Sequence, residues 1–448
     1  MADVVVVGGG AAGAAVFGEL IGRADPGCVH WATGNRAPGR GVAYSTFEEH
    51  HLLNVRAAGM GLFDGPGSVF ASHPAARGVE PHAFAPRRHY GDYVQSRLAE
   101  RIAAARDDGR FFEIHPDTAV DAWKDGEGWR VRLEGGTTLE AGQVVLAPGA
   151  LPPRPLRGIS AQALASGAYV VDPWQLHALP APPRRVLVIG TGLTAVDVLL
   201  SAARRWPQAR LQAVSRHGRL PFTHREHPVP PWRGQPALNR ALQEAGGLGG
   251  MLRSLRQAMR EAHDWQSVVE GVRPVTVPLW QGLSMEERRR FLRHLRWLWE
   301  AARHRVPPAS AQALQELRAA GRLQISAARV LEVDGDGPLQ VRLRGRGAQG
   351  PSFQEADLVI QATGLEMSAA TATGLPRQLL ERGLVALDPL GLGLAAREDG
   401  SLVGPGGEVQ PGLSAIGPLL RGTLWECTAM PEIRVAARAL AERLLPGD

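Results

Sequence analysis

The sequence predicts an α/β fold of two parallel-sheet halves, with a helical insertion in the second. Three observations carry this. Val4-Val5-Val6-Val7 runs into Gly8-Gly9-Gly10-Ala11-Ala12-Gly13. Val186-Leu187-Val188-Ile189 runs into Gly190-Thr191-Gly192-Leu193-Thr194-Ala195. The order of elements after the first motif then recurs after the second. Each motif is an apolar strand, a glycine turn and the opening of a helix. Such a turn admits a pyrophosphate to the helix N-terminus. One match is weak. Two in the same context point to two dinucleotides held face to face.

The first half opens with the strand–turn–helix of residues 4–21, and a strand is expected at 29–32. Gly39-Arg40-Gly41-Val42-Ala43-Tyr44 and His51-Leu52-Leu53-Asn54-Val55 follow. The spacing of Leu98 and Ile102 predicts a helix over 90–105. A hairpin is expected from 119–123 and 129–133, then a strand ending at Ala147-Pro148-Gly149. The second half has its strand–turn–helix at 186–203, a strand at 211–214 and a hairpin at 329–333 and 339–343. It closes on Ile360-Gln361-Ala362-Thr363-Gly364. Pro180–Pro183 reads as the linker. The domains are therefore 1–180 with 365–448, and 184–364 with a Trp- and Arg-rich insertion at 222–310. A closing helix is expected over 432–445.

The chain has 448 residues, of which 44% are hydrophobic and 21% charged, which suits a soluble globular protein. Its apolar runs are strand-sized, so no membrane span is predicted. No basic and apolar leader precedes Val4, so the expected location is cytoplasmic. Cys28 and Cys427 form no paired motif, which argues against a structural disulfide or a dithiol reductase. The histidines show no zinc pattern, and no metal is expected. The net charge of +6 is spread along the chain, and Lys124 is the only lysine. No nucleic-acid stripe is formed.

Two glycine fingerprints and a closing Ala-Thr-Gly strand resemble flavoproteins that carry FAD and a nicotinamide, with two Rossmann-like domains of the glutathione-reductase type. More narrowly, the 39–44 and 51–55 segments, Thr191-Gly192-Leu193-Thr194 with Asp197, Ser215-Arg216-His217-Gly218, Arg303-His304-Arg305 and Arg421-Gly422-Thr423-Leu424-Trp425-Glu426 resemble the bacterial FAD/NAD(P)-binding protein family. Members of that family look like flavin-dependent monooxygenases, and some are described as urate hydroxylases. The resemblance implies that NADPH reduces FAD and that oxygen then gives a hydroperoxyflavin that hydroxylates a small molecule. The alternatives are an NADPH-dependent flavin reductase or oxidase with another acceptor, and a non-catalytic nucleotide-binding protein.

Gly8, Gly10 and Gly13 are expected to hold the FAD pyrophosphate, and Gly190, Gly192 and Ala195 that of NADPH. An acid usually ends the second strand and binds the adenosine ribose. Here Thr33 takes that place. Arg216 ends the matching strand of the second half, where a guanidinium suits a 2′-phosphate. Arg40, Gly41, Asn54, Gly149, Thr363, Gly364, Gly417 and Arg421 complete the expected cofactor contacts. Arg40, Tyr44, His304, Trp425 and Glu426 are the expected catalytic residues. The insertion, marked by Trp265, Arg273, Trp280 and Trp297, is expected to wall the substrate side. The helix after Met430-Pro431 is expected to aim its positive end at the flavin.

Overall fold

A computed structural model describes residues 3–23, 27–63, 69–178, 182–364 and 373–446. Two parallel sheets organise it. In the first, strand Val4–Val7 lies between Val29–Ala32 and Gln143–Leu146. Phe112–His115 extends one side, and Val409–Ala415 the other. In the second, Arg185–Ile189 lies between Arg210–Ser215 and Leu358–Gln361, with Leu323–Asp334 beyond Arg210–Ser215. The two orders match strand for strand, so the repeat read from the sequence is a repeat in space.

The valine run needs no polar alternation because helices or sheet cover both of its faces. Val4 and Val6 pack with Phe17, Trp31, Tyr90 and Tyr93, and with Ile433 and Ala437 of the closing helix Met430–Leu444. Val5 and Val7 pack on the other side with Trp129, Val131 and Leu379. Phe17 stacks on Trp31 at 4.7 Å. The expected helix at 90–105 runs Arg87–Asp107, and the expected hairpin gains a third strand, Thr138–Ala141.

Three boundaries differ from the sequence reading. Strand Tyr169–Val170 pairs with Leu358–Gln361, and Ala163 and Tyr169 share a core with Leu187 and Val359. The chain thus joins the second sheet before residue 180, because Tyr169 finds its apolar partners there. The hairpin strand expected at 329–333 is the far half of one 12-residue strand, Leu323–Asp334. Its near half pairs in parallel with Arg210–Ser215, and its far half antiparallel with Leu339–Gly345. Helix Pro308–Ala319 packs Leu314 into the core of the second sheet, so the insertion ends before it. The linker at Pro180–Pro183 begins outside the described residues, as does the return at 365–372.

The insertion is helical, as expected. Helices Gln235–Gln243, Leu248–Glu261, Trp265–Gly271, Thr276–Gly282, Met285–His294 and Arg296–Arg303 form it. The fourth of them packs against the short helix Arg421–Leu424 of the C-terminal return.

Candidate active-site cleft

Both glycine turns are built on the same close approach. A Cβ on Gly8, at φ +121°, would lie 2.2 Å from the carbonyl oxygen of Ala147. A Cβ on Gly190, at φ +129°, would lie 2.1 Å from that of Ala362. Each turn is pressed against the end of the neighbouring strand, so only glycine fits. The glycine at the third position of each turn leaves the space a ligand would need. A Cβ on Gly10 would meet nothing nearer than Gly41 Cα at 3.7 Å, and one on Gly192 would meet nothing within 4 Å. Helices Ala11–Ile21 and Leu193–Arg205 start at these glycines with no side-chain cap and no acid in the first turn. Their first N–H groups remain available to an anion. This donor set fits two pyrophosphates.

The halves meet through the 50–56 segment. Arg87 Nη2 donates to Asp197 Oδ2 at 2.6 Å, and His51 Nε2 lies 2.8 Å from Ser201 Oγ. Burial raises the Asp197 carboxyl to about 6 even against Arg87. Burial, then Arg87, pushes His51 down to about 3. His224 Nε2 donates to the Asn54 carbonyl at 3.0 Å, and burial pushes this imidazole to about 3.

Asn54 and Val55 from the first half, Trp299, Arg303 and His304 from the insertion, and Arg421 to Glu432 from the return line one cleft. Five expected site residues therefore converge: Asn54, His304, Arg421, Trp425 and Glu426. Arg303 Nε donates to Glu426 Oε2 at 3.0 Å, and Trp299 Nε1 to Glu426 Oε1 at 3.2 Å. Arg421 pairs with Glu300, and its guanidinium lies 4.6 Å over the Trp425 ring. Arg273 pairs with Glu432 in the first turn of the closing helix. Burial, then Arg303, pushes His304 down to about 4, so it is neutral at neutral pH. Arg421 Nε, Arg273 Nη2 and Glu432 Oε2 are buried without a partner. Trp425 sits at φ +54°, a costly conformation for a tryptophan that functional sites tolerate. Cys427 Sγ contacts the carbonyl of Gly417 at 3.3 Å, which ties the Gly417 turn to this stretch.

The structure does not bring every expected residue here. Arg40 is held by Asp92 and donates to Gln95 Oε1 at 2.9 Å, on helix Arg87–Asp107. The Tyr44 ring packs 4.7 Å from Tyr90. Neither Arg40 nor Tyr44 lines this cleft, while Gly41 lies beside Gly10. Thr33 is buried, and its hydroxyl donates to the His115 carbonyl at 3.1 Å. Arg305 is buried on Gln266 and Glu270, away from the cleft. Trp265 meets Phe222. Gly149, Gly364 and Gly417 all have positive φ and open space where a Cβ would be, beside exposed Thr363. Exposed Arg216 directly follows strand Arg210–Ser215, and the next residue, His217, stacks on Trp297 at 4.3 Å. Ala195 is buried in its helix. Sequence reasoning missed Trp299, Glu300 and Glu432. Their only linear signal is the aromatic and acidic spacing of a helix. It also missed that His30, Glu113 and His115 place ligand atoms within 4.8 Å of one another. Both cysteines are free. Among the described residues, no helix is long and apolar enough to cross a membrane.

Residues 5–151 match the family model described as FAD-NAD(P)-binding. No curated protein matches the chain in sequence. Among solved structures, the ornithine N-hydroxylase of Kutzneria sp. 744, in a complex with reduced FAD, NADP+ and L-ornithine, is 16% identical over 99% of each chain, with a TM-score of 0.67. L-lysine 6-monooxygenase from Pseudomonas syringae is 16% identical over 99% of each chain, at 0.64. The FAD-bound cadaverine monooxygenase of Erwinia amylovora is 12% identical over 100% of this chain and 96% of its own, at 0.67. The chain has the fold of flavoproteins with two dinucleotide-binding domains, and its opening segment matches the FAD-NAD(P)-binding family.

Proposed function

We propose that this protein is an FAD- and NADPH-dependent monooxygenase of a small molecule. The observation that carries the reading is the cleft. Asn54, His304, Arg421, Trp425 and Glu426 come from three separate stretches of chain and meet beside the N-terminus of the closing helix. That N-terminus follows the Gly417 turn in a fold whose two uncapped glycine turns suit pyrophosphates. Solved structures of this fold include enzymes named as ornithine, lysine and cadaverine hydroxylases or monooxygenases.

A bound flavin supplies acceptance of hydride from the nicotinamide and activation of oxygen. The chain's residues do the rest. The first N–H groups after Gly10 and Gly192 orient the two pyrophosphates. Exposed Arg216 meets a 2′-phosphate where NADPH is used. Glu300, Glu426 and Glu432 fix three arginines in the cleft wall, so each guanidinium holds one orientation. His304 is neutral at working pH and can take up or return one proton beside the reacting centre. Trp425 and Trp299 exclude water from it.

The test is the absorption spectrum of the purified protein before and after anaerobic NADPH, followed by oxygen admission. A yellow protein bleached by NADPH, and reoxidised with product but little peroxide, supports the reading. A bleached protein that releases its oxygen as peroxide with every candidate substrate favours the oxidase. A protein that stays colourless when FAD is added favours a non-catalytic nucleotide binder.

A further inference from the structure

Behind Trp425, the insertion encloses a second cavity of about 930 Å³, counting its mouth. We propose that it is the substrate chamber and that it takes an uncharged, lipophilic molecule, an aryl or alkyl compound rather than a diamine. The proposal rests on the monooxygenase reading. Its walls include Met251, Leu255, Leu279, Phe291 and Leu298. Thr276 is the polar exception, and its hydroxyl donates to the Val272 carbonyl at 3.2 Å. No wall group is left to greet a charge. An unpaired ammonium would lose several kcal/mol of solvation, on the order of the burial cost of any isolated ion.

Continuity with the cleft argues for substrate as the occupant. Trp299 and Trp425 line both spaces. Trp299 spends its indole N–H on Glu426, and Trp280 donates to the Gly422 carbonyl at 2.8 Å. The polar edges are thereby satisfied on the side of the C-terminal return, and ring surface is left for the chamber. Trp280, in the chamber wall, stacks on Trp425 at 4.7 Å. In the cleft itself, Arg303, Arg421 and Arg273 each pair with a glutamate.

The probe is N-phenyl-1-naphthylamine, an uncharged fluorophore, titrated into the protein as purified. One saturable site per chain is expected, unaffected by excess ornithine or cadaverine. Leu255→Trp fills the chamber and should weaken binding at least tenfold while flavin content is unchanged. Leu298→Gln at the mouth serves the same end if the first variant fails to fold. A yellow, NADPH-oxidising protein that does not bind the probe overturns the chamber alone. A colourless protein that binds it overturns the monooxygenase reading, and with it the role of the cavity as a substrate chamber, while leaving an apolar ligand pocket. A probe displaced by ornithine, or one site per dimer, also overturns the chamber and makes the apolar face a contact between copies.

A different observation carries a second proposal. The parallel register pairs His30 with Glu113 and Ala32 with His115. Alternation along a strand then puts Glu113 and His115 on one face, with His30 beside them. His30 Nδ1 lies 3.2 Å from His115 Nε2, and Glu113 Oε2 lies 3.5 Å from each nitrogen. A tetrahedral ion bonded at 2.0–2.1 Å has ligand edges of roughly 3.3–3.4 Å. We infer that these three atoms form one face of a divalent zinc-type site, with water as the fourth ligand. Two imidazoles and a carboxylate suit Zn2+ and its late first-row neighbours. The ion would tie edge strand Phe112–His115 to Val29–Ala32.

Titration with Zn2+ against a chromophoric chelator should find one ion per chain, with a melting midpoint raised by several degrees. The double variant His30→Ala/His115→Ala should lose both effects, and exposed Glu113→Gln should weaken binding about tenfold. His82→Ala, at the separate His82–His227 pair, should change nothing. Equal zinc uptake by the double variant, or none by the parent, overturns the site.

Discussion

The two glycine turns of this protein follow one plan but differ at their second position. In the first turn a Cβ on Gly9 would lie 2.1 Å from the Thr33 carbonyl, because the next strand folds back over the turn. Gly39 N–H also donates to the Gly9 carbonyl at 2.8 Å, adding a second covering segment. In the second turn the equivalent residue is Thr191, whose hydroxyl donates to Ser215 Oγ at 2.9 Å. Ser215 Oγ also accepts from Gly218 N–H at 3.0 Å. One turn is closed by backbone on backbone and the other by side chains. The closed turn suits a cofactor that stays. The turn bounded by a hydroxyl pair and an exposed Arg216 suits one that comes and goes.

The sixth position separates them too. A Cβ on Gly13 would lie 1.9 Å from the Gly8 carbonyl, which also accepts from Trp31 Nε1 at 2.9 Å. The second turn carries Ala195 there.

The largest expected effect breaks the first turn. Gly8→Ala forces a side chain onto the Ala147 carbonyl at positive φ and should cost about 3 kcal/mol or more. Little folded protein should be recovered, as read by thermal melting. Gly10→Val tests ligand space instead, since its Cβ has room in the protein itself. That variant should purify folded but without flavin. A full flavin complement would show that the first turn does not hold the pyrophosphate.

Next comes the exposed guanidinium of the second turn. Arg216→Ala should raise the NADPH Michaelis constant tenfold to a hundredfold, on the order of 1.5–3 kcal/mol for a charge-assisted contact. NADH use should barely change. Equal use of both nucleotides by the parent would remove the 2′-phosphate role.

The seam between the halves should respond to acid. His51, His224 and His304 have folded pKa values near 3, 3 and 4, below their ordinary 6.5. The unfolded chain therefore binds more protons between pH 6.5 and 4, and stability falls as pH drops through that window. Asp197, raised from 3.8 to about 6, acts in the opposite sense between those values. Three imidazoles outweigh one carboxyl. Urea midpoints should fall steadily from pH 7 to pH 4.5, and His224→Phe should flatten the slope. A midpoint constant across that range would deny that the histidines are buried neutral.

The smallest effect is expected at Thr191→Val. It removes one hydrogen bond and leaves Ser215 its Gly218 donor, so about 1 kcal/mol is expected in denaturant unfolding. Flavin content should not move. A loss of flavin would mean the two turns are not independent.

Much of this was legible because it is local. A strand, a glycine turn and a helix N-terminus lie within ten residues, and their geometry follows from backbone sterics. The element order repeats for the same reason. The His304, Arg421, Trp425 and Glu426 stretches were legible as motifs, and they do converge with Asn54. The surroundings of Arg40 and Tyr44 were not legible, because a conspicuous motif says nothing about which way a side chain turns. Asp92 and Gln95 of helix Arg87–Asp107 capture Arg40, and no linear signal names such partners. Thr33 was legible as the residue after the second strand, but its bond to the His115 carbonyl was not.

The sequence by itself determined the two sheets, the two glycine turns and the helical character of the insertion. Hydrophobic runs and glycine positions act over a few residues and leave few alternatives. Tertiary structure alone decided which charges meet. Arg303 reaches Glu426, Arg421 reaches Glu300 and Arg87 reaches Asp197 across more than a hundred residues of chain. It also decided that Tyr169 joins the second sheet and that His30, Glu113 and His115 share one face. Such pairings depend on strand register and on competition among distant partners for burial, and neither is encoded in any short stretch of the chain.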